Sequence, residues 1–207
     1  MSRWFQGWRL VGVATAALLA SQALIFAAGG TDEAGIRKLV AGSARIAVVM
    51  FLVVFVAAPA RRFWPGPTTR WLMRNRRYLG VSFGVAHFIH LFDIALLALL
   101  LGNAFEINAV TLFGGGLAYV LLALMMLTSF DRTARWLGPR KWKWLHRVGL
   151  FWLWVIFMQS YTARAVVERT PNSLVLALAL WGALGLRIAA WRAQRARASA
   201  GAIAQAG

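Results

Sequence analysis

His87, His90 and His146 are the only imidazoles in a 207-residue chain that contains no cysteine. Disulfides, iron–sulfur clusters, thiolate-ligated haem and Cys-based zinc sites are thereby excluded, so any metal chemistry must use imidazole, carboxylate or thioether. His87 and His90 lie within Gly84-Val-Ala-His-Phe-Ile-His-Leu-Phe-Asp93, in the middle of a long apolar stretch. A spacing of three puts both rings on one face of a helix. A polar side chain at hydrocarbon depth has to face the protein interior and find a partner, so a buried imidazole pair points to a functional site. Helix-packing hydrogen bonds are the plainer alternative. His146 follows the basic and aromatic run Gly138-Pro-Arg-Lys-Trp-Lys-Trp-Leu, which marks a membrane interface. Together the three residues have the composition of a bis-imidazole haem site, in which two helices each give a neutral nitrogen to iron. A zinc or non-haem iron site is the weaker option, because Asp93 is the only carboxylate nearby and no second one completes a usual set.

Depth complicates the haem reading. At ~1.5 Å per residue, His87 and His90 lie roughly 14 and 18 Å beyond Tyr78, whereas His146 is close to the interface. Sequence leaves open which of the pair reaches the iron. Arg45 and Asp93 are the other charges within apolar runs, about 9 and about 12 Å inside the outer ends of their helices, and their similar depth suits an ion pair. Arg45 could instead meet a haem propionate or a quinone, or snorkel to the outer surface. Gly114-Gly-Gly116 lacks the Lys and Ser/Thr of a phosphate loop, so close helix approach is the expected role.

The elements that position these residues are set by composition. Hydrophobic residues make up 60% of the chain, mean hydropathy is +0.64, and charged residues are 14% against roughly 25% in soluble domains. A soluble globular fold is excluded. Apolar runs long enough to cross about 30 Å of hydrocarbon occupy Leu10 to Ala28, Leu39 to Ala58, Tyr78 to Leu101, Ala109 to Leu127, Val148 to Val167 and Ser173 to Trp191. Runs such as Ile94 to Leu101 do not alternate as barrel strands do, so the expected fold is all-α: a polytopic membrane protein, a single six-transmembrane-helix bundle over residues 1–197, with a disordered tail over 198–207. The first run is longer than a signal-peptide core and leads straight into a second span, so it is expected to be retained.

The net charge of +17 reads mainly as topology. Eighteen of the 23 Lys and Arg fall on one side of the six spans, in the N-terminal segment, the Pro59 to Arg77 and Ser129 to Arg147 connections and the C-terminal segment. Short basic segments stay cytoplasmic, which gives an N-in, C-in orientation and affinity for anionic lipid rather than nucleic acid. Pro59, Pro65 and Pro67 with Phe63, Trp64 and Trp71 suit a first connection lying along the headgroups.

Several of these residues occur in a familiar arrangement. Gly42 with Ala44 and the Ala58-Pro59 helix end, Arg76-Arg-Tyr-Leu-Gly80 followed by His90, Leu127-Thr-Ser129, and Leu137-Gly-Pro-Arg-Lys-Trp-Lys-Trp-Leu-His146-Arg-Val span roughly Gly42 to Tyr161. In these the chain resembles the ferric-reductase-like transmembrane family, and within it the haem-binding membrane subunits of bacterial methionine sulfoxide reductase systems. The resemblance implies a six-helix b-type cytochrome of the bacterial inner membrane, with axial haem roles carried onto His90 and His146. The family has a further His thirteen residues beyond the position of His146. This chain has Gln159 there, a poor haem ligand, so one haem is expected rather than two, with His87 as a compensating ligand or a neighbour. The family's flavin contact on the cytoplasmic side is assigned to no residue here, and neither is a quinone site.

Two function classes follow. The first is electron transfer from a cytoplasmic reductase or quinol to a periplasmic acceptor protein. Helices and short loops account for all 207 residues, so the donor is expected to be a separate chain. The second is a haem-free scaffold or small-solute permease using the histidines, Arg45 and Asp93 for packing or proton movement. On orientation, a phosphatase reporter fused at Asn103 is expected to be active and one fused at Arg135 inactive. The reverse pattern would invert the topology.

Overall fold

The computed structural model describes residues 3–206. Among these there is no strand, and the chain is built from α1 (Gly7–Gly29), α2 (Glu33–Phe63), α3 (Pro67–Leu101), α4 (Ala109–Leu127), α5 (Asp131–Leu137), α6 (Pro139–Val167) and α7 (Pro171–Ala206), with short 3-10 turns at Arg3–Phe5 and Gly102–Ala104. Five helices, α1, α2, α3, α6 and α7, are each long and apolar enough to cross a membrane. A sixth candidate is α4, which meets α5 at a bend of 107°. Leu24, Phe92, Leu99 and Phe113 each stand more than two-thirds exposed, an outer surface suited to lipid rather than water.

The helices overrun the apolar stretches that announce them. The Ala58-Pro59 end expected from the sequence is not where α2 stops, since the helix runs through Pro59 to Phe63. Only residues 64–66 separate it from α3, so the segment 59–77 is two helix ends rather than a strap along the headgroups. Pro67, Pro139 and Pro171 each open a helix, where a fixed φ and a missing N–H cost nothing. The α3 extension is tied down from below: Trp71 Nε1 donates to the Phe5 carbonyl at 2.9 Å, and the Gly7 N–H donates to Oδ1 of buried Asn75 at 3.1 Å. α7 likewise continues through 198–206, where a disordered tail was expected from composition. That stretch is rich in alanine, the strongest helix former.

Contacts between helices define a ring. α2 packs most extensively on α3, α2 also on α7, α7 on α6, α6 on α4 and α4 back on α3, while α1 lies outside against α2 and α3. The middle of the ring is filled by Phe51, Phe55, Leu122, Leu153 and Leu180, all essentially inaccessible. Phe51 of α2 meets Phe157 of α6 at 5.0 Å and Phe83 of α3 at 5.5 Å between ring centroids, forming an aromatic layer across three helices. Of the glycine run, Gly114 alone makes a close approach: its carbonyl accepts from Trp152 Nε1 at 3.0 Å, and an added Cβ would meet Ile156 at 3.2 Å.

At the α1–α2 corner an added Cβ on Gly35 would collide with the carbonyl oxygens of Gly29 and Gly30, which are backbone and cannot swing aside. At Gly12 nothing lies within 4 Å. Gly35→Ala is therefore expected to destabilise the protein by about 1–3 kcal/mol. Gly12→Ala is expected to be neutral or stabilising by up to about 1 kcal/mol. Thermal unfolding of both variants in detergent measures the difference, and equal effects would refute the close α1–α2 approach.

Candidate functional site: a basic cavity at one end of the ring

Every ring helix contributes to a cavity of about 370 Å³ at the end of the bundle that carries the basic segments. Its floor is apolar, made by Val54 and Ala58 of α2, Phe83 of α3, Leu122 of α4 and Leu153 of α6. Its rim carries Arg76, Arg77, Lys143, Arg147 and Arg187, and no carboxylate lines it. Among the described residues only Arg77 of these five has an acidic partner, with Nη1 2.6 Å from Asp131 Oδ1. His146 opens on the same cavity, stacked on Trp142 with ring centroids 4.1 Å apart. Its Nε2 lies 3.2 Å from Thr128 Oγ1.

Arg187 is held by a defect in α2. Pro59 has no N–H, so the Phe55 carbonyl four residues earlier loses its intrahelical donor, and in hydrocarbon no water replaces it. Arg187 Nε donates to that carbonyl at 3.0 Å. The guanidinium also lies over the Phe55 ring at 4.3 Å and the Phe151 ring at 5.4 Å. The sequence counts Arg187 among topology cations. The readable signal was Pro59, whose position within an apolar helix demands a donor for the carbonyl of residue 55.

The α3 histidines belong to a different place. His87 and His90 share a face, as their spacing requires, with ring centroids 5.8 Å apart. His87 stacks on Tyr119 of α4 at 4.6 Å and packs against Phe83 at 5.7 Å and Phe157 at 5.3 Å. It is 5% exposed, and its Nδ1 is buried without a partner. His90 Nδ1 is 3.0 Å from Ser43 Oγ on α2. Phe83, the cavity-lining residue of α3 nearest to them, precedes His87 and His90 by four and seven residues, which is ~6 and ~10 Å along the helix. Phe83 belongs with Phe51 and Phe157 to the aromatic layer. The ring contacts thus join His87 to His90, whereas the recorded partners of His146 are Trp142 and Thr128. Gln159, at the position of the expected further ligand, is exposed.

The Arg45–Asp93 pair does not form. Arg45 is exposed on α2 and lines neither this cavity nor the groove between α1 and α3, and a flexible cation on a lipid-facing surface can extend its head toward the interface. Asp93, 2% exposed, accepts instead from Gln22 Nε2 of α1 at 2.6 Å. Among the described residues no group of three or more His, Asp or Glu has the geometry to hold a metal ion.

As a ligand site the cavity offers one imidazole, an apolar floor and a cationic rim. Of the three histidines His146 alone lines it, so His146 is the residue here that would hold a haem iron, with the rim cations available to anionic groups. A scan against protein-family models, a search of curated proteins and a search of solved structures each found no match to this chain.

The Pro59–Arg187 dependence is open to a double-mutant cycle. Arg187→Met should cost about 1–3 kcal/mol by leaving the Phe55 carbonyl without a donor. In a Pro59→Ala background, where residue 59 regains its N–H, the cost should fall by more than half. Equal costs in the two backgrounds, read by unfolding in detergent, would show that the carbonyl is not what Arg187 serves.

Proposed function

We propose that this chain is an electron-transfer subunit of the bacterial inner membrane, N-in and C-in with six spans, that carries one b-type haem in the basic cavity. The observation supporting this reading is the meeting of His146, an apolar floor and five cations in a single cavity without a carboxylate. A haem supplies one-electron chemistry at its iron. The chain's own residues do the rest. His146 presents a neutral ring nitrogen, with Trp142 fixing the plane of the ring and Thr128 its orientation. Arg187, held in place by the Phe55 carbonyl, and Arg76, Lys143 and Arg147 face anionic groups. Phe83, Leu122 and Leu153 keep water from the inner end.

On this reading the cavity faces the cytoplasm, so electrons arrive from a separate cytoplasmic reductase or from quinol and leave toward a periplasmic acceptor protein. The resemblance to ferric-reductase-like membrane proteins agrees with this direction, although of the His90 and His146 positions that it would pair only His146 lines the cavity. That favours one competing reading, a haem-free scaffold or permease, since no second imidazole faces the cavity.

Haem content decides between them. Pyridine haemochrome assayed against protein should give about one haem per purified chain, and His146→Ala should leave little or none, as expected when the one imidazole ligand is removed. His87→Ala and His90→Ala should retain it. A colourless wild-type protein would favour the haem-free reading, and loss of haem from His90→Ala with retention by His146→Ala would place the site on the other side of the aromatic layer.

A further inference from the structure

Outside the cavity, the basic end of the molecule carries an exposed patch on the two sides of the turn at Gly138. On α5, Arg132, Arg135 and Trp136 are exposed, and their spacings of three and four put them on one face of the helix, while Thr133, Ala134 and Leu137 are half-buried. On α6, Arg140, Lys141 and Trp144 are exposed, while Trp142 and His146 line the cavity. Trp136 is 85% exposed and Trp144 66%. Among the described residues the four cations form no ion pair, and none of them lines the cavity.

The patch is held at a defined depth. α4 is a 19-residue apolar helix that ends at Leu127, and α5 leaves it at a bend of 107°. With α4 crossing the bilayer, α5 lies nearly along the membrane plane, at the level where apolar sequence gives way to basic sequence. Contacts from α1, α3 and α6 pin this corner. Trp8 stacks on Phe130 with ring centroids 5.0 Å apart, Arg77 pairs with Asp131, and Trp142 Nε1 donates to the Thr128 carbonyl at 2.9 Å. Thr133 Oγ1 also donates back to the Leu127 carbonyl. Leu127 and Phe130, which lead from the span into the patch, both stay exposed.

An occupant of this corner has to bring negative charge to four cations and apolar surface to Leu127, Phe130 and Trp136. A phosphodiester carried on acyl chains brings both. A zwitterionic headgroup adds a quaternary ammonium beside cations whose nearest carboxylate, Asp131, is already paired with Arg77, whereas a headgroup of net negative charge adds none. A soluble acidic protein meets the cations but leaves the apolar residues of the corner without a partner.

We propose that the corner between α4, α5 and α6 is a binding site for anionic phospholipid, with Arg132, Arg135, Arg140 and Lys141 recognising the headgroup charge and Leu127, Phe130 and Trp136 meeting the acyl chains. The proposal goes beyond the general attraction of a basic membrane face for anionic lipid, because it assigns the selectivity to these residues. It rests on α4 being a span and is independent of haem.

The test uses the full chain in phosphatidylcholine nanodiscs containing a trace of phosphatidylglycerol or phosphatidylcholine with a diazirine near the glycerol end of one acyl chain. Photolabelled peptides are quantified by mass spectrometry. The phosphatidylglycerol probe should label residues 127–144 more than the phosphatidylcholine probe does, and Arg135→Gln and Arg140→Gln should each lower that labelling by about fivefold. The double variant Arg70→Gln/Arg74→Gln, which removes two exposed cations from α3 at the same end, should leave it unchanged. Equal labelling of the wild-type chain by the two probes would overturn the proposal whether or not the variants fold, and would leave the patch to a soluble acidic partner. Equal losses from Arg135→Gln/Arg140→Gln and Arg70→Gln/Arg74→Gln would overturn it as well, because the attraction would then belong to the whole basic face. Displacement of the probe by soluble glycerol phosphate would overturn the lipid assignment in favour of a free phosphate.

Discussion

Pro59 withholds the one backbone donor that the Phe55 carbonyl would otherwise use, and in a membrane that carbonyl must be satisfied from within the protein. Arg187 satisfies it from α7. Three features depend on this bond. It joins α7 to α2, completing the ring begun by the α2–α3 hairpin. It permits α2 to continue past proline to Phe63, carrying Arg61 and Arg62 beyond the apolar core. It also fixes a guanidinium at the wall of the basic cavity, where a free arginine would extend into solvent. A cation placed in this way costs little further conformational entropy when it meets an anion, which makes the cavity a preorganised anion site.

The interior of the ring is divided by the Phe51, Phe83 and Phe157 rings. Phe83 serves both sides, as part of the cavity floor and as a neighbour of His87. On one side are His146 and the cations. On the other are His87, His90, Tyr119 and Ser43, a cluster with no cation among its hydrogen-bond partners. Such a division suits a protein that gathers its cations at one end and keeps them from the deeper imidazoles, where unpaired charge is most costly.

The parts of this structure that sequence reveals are those set by local chemistry. Apolar runs located the helices, and the three-residue spacing of His87 and His90 fixed their common face. Helix ends were less legible because hydropathy stops at the membrane boundary while hydrogen bonding does not: α2, α3 and α7 all continue into polar sequence. Pro59 reads as a terminator by the usual rule, and only the distant Arg187 makes it an interior residue. Asp93 illustrates the same limit. Depth alone pairs it with Arg45, but the rotation of α2 turns Arg45 outward, and an amide on α1 takes its place. That His146 lines the basic cavity while neither α3 histidine does depends on how the helices are set against one another, to which neither residue type nor spacing is sensitive.

His146 lines a cavity that neither α3 histidine lines, and in the proposed orientation that cavity opens to the cytoplasm. Because the chain has no native cysteine, single His146→Cys and His90→Cys variants can be probed with a membrane-impermeant maleimide without background. His146→Cys should react in inverted membrane vesicles, not react in right-side-out vesicles, and be protected by added haemin, while His90→Cys should stay unreactive in both. Reaction of His146→Cys from the periplasmic side, or equal reaction of the two variants from one side, would contradict it.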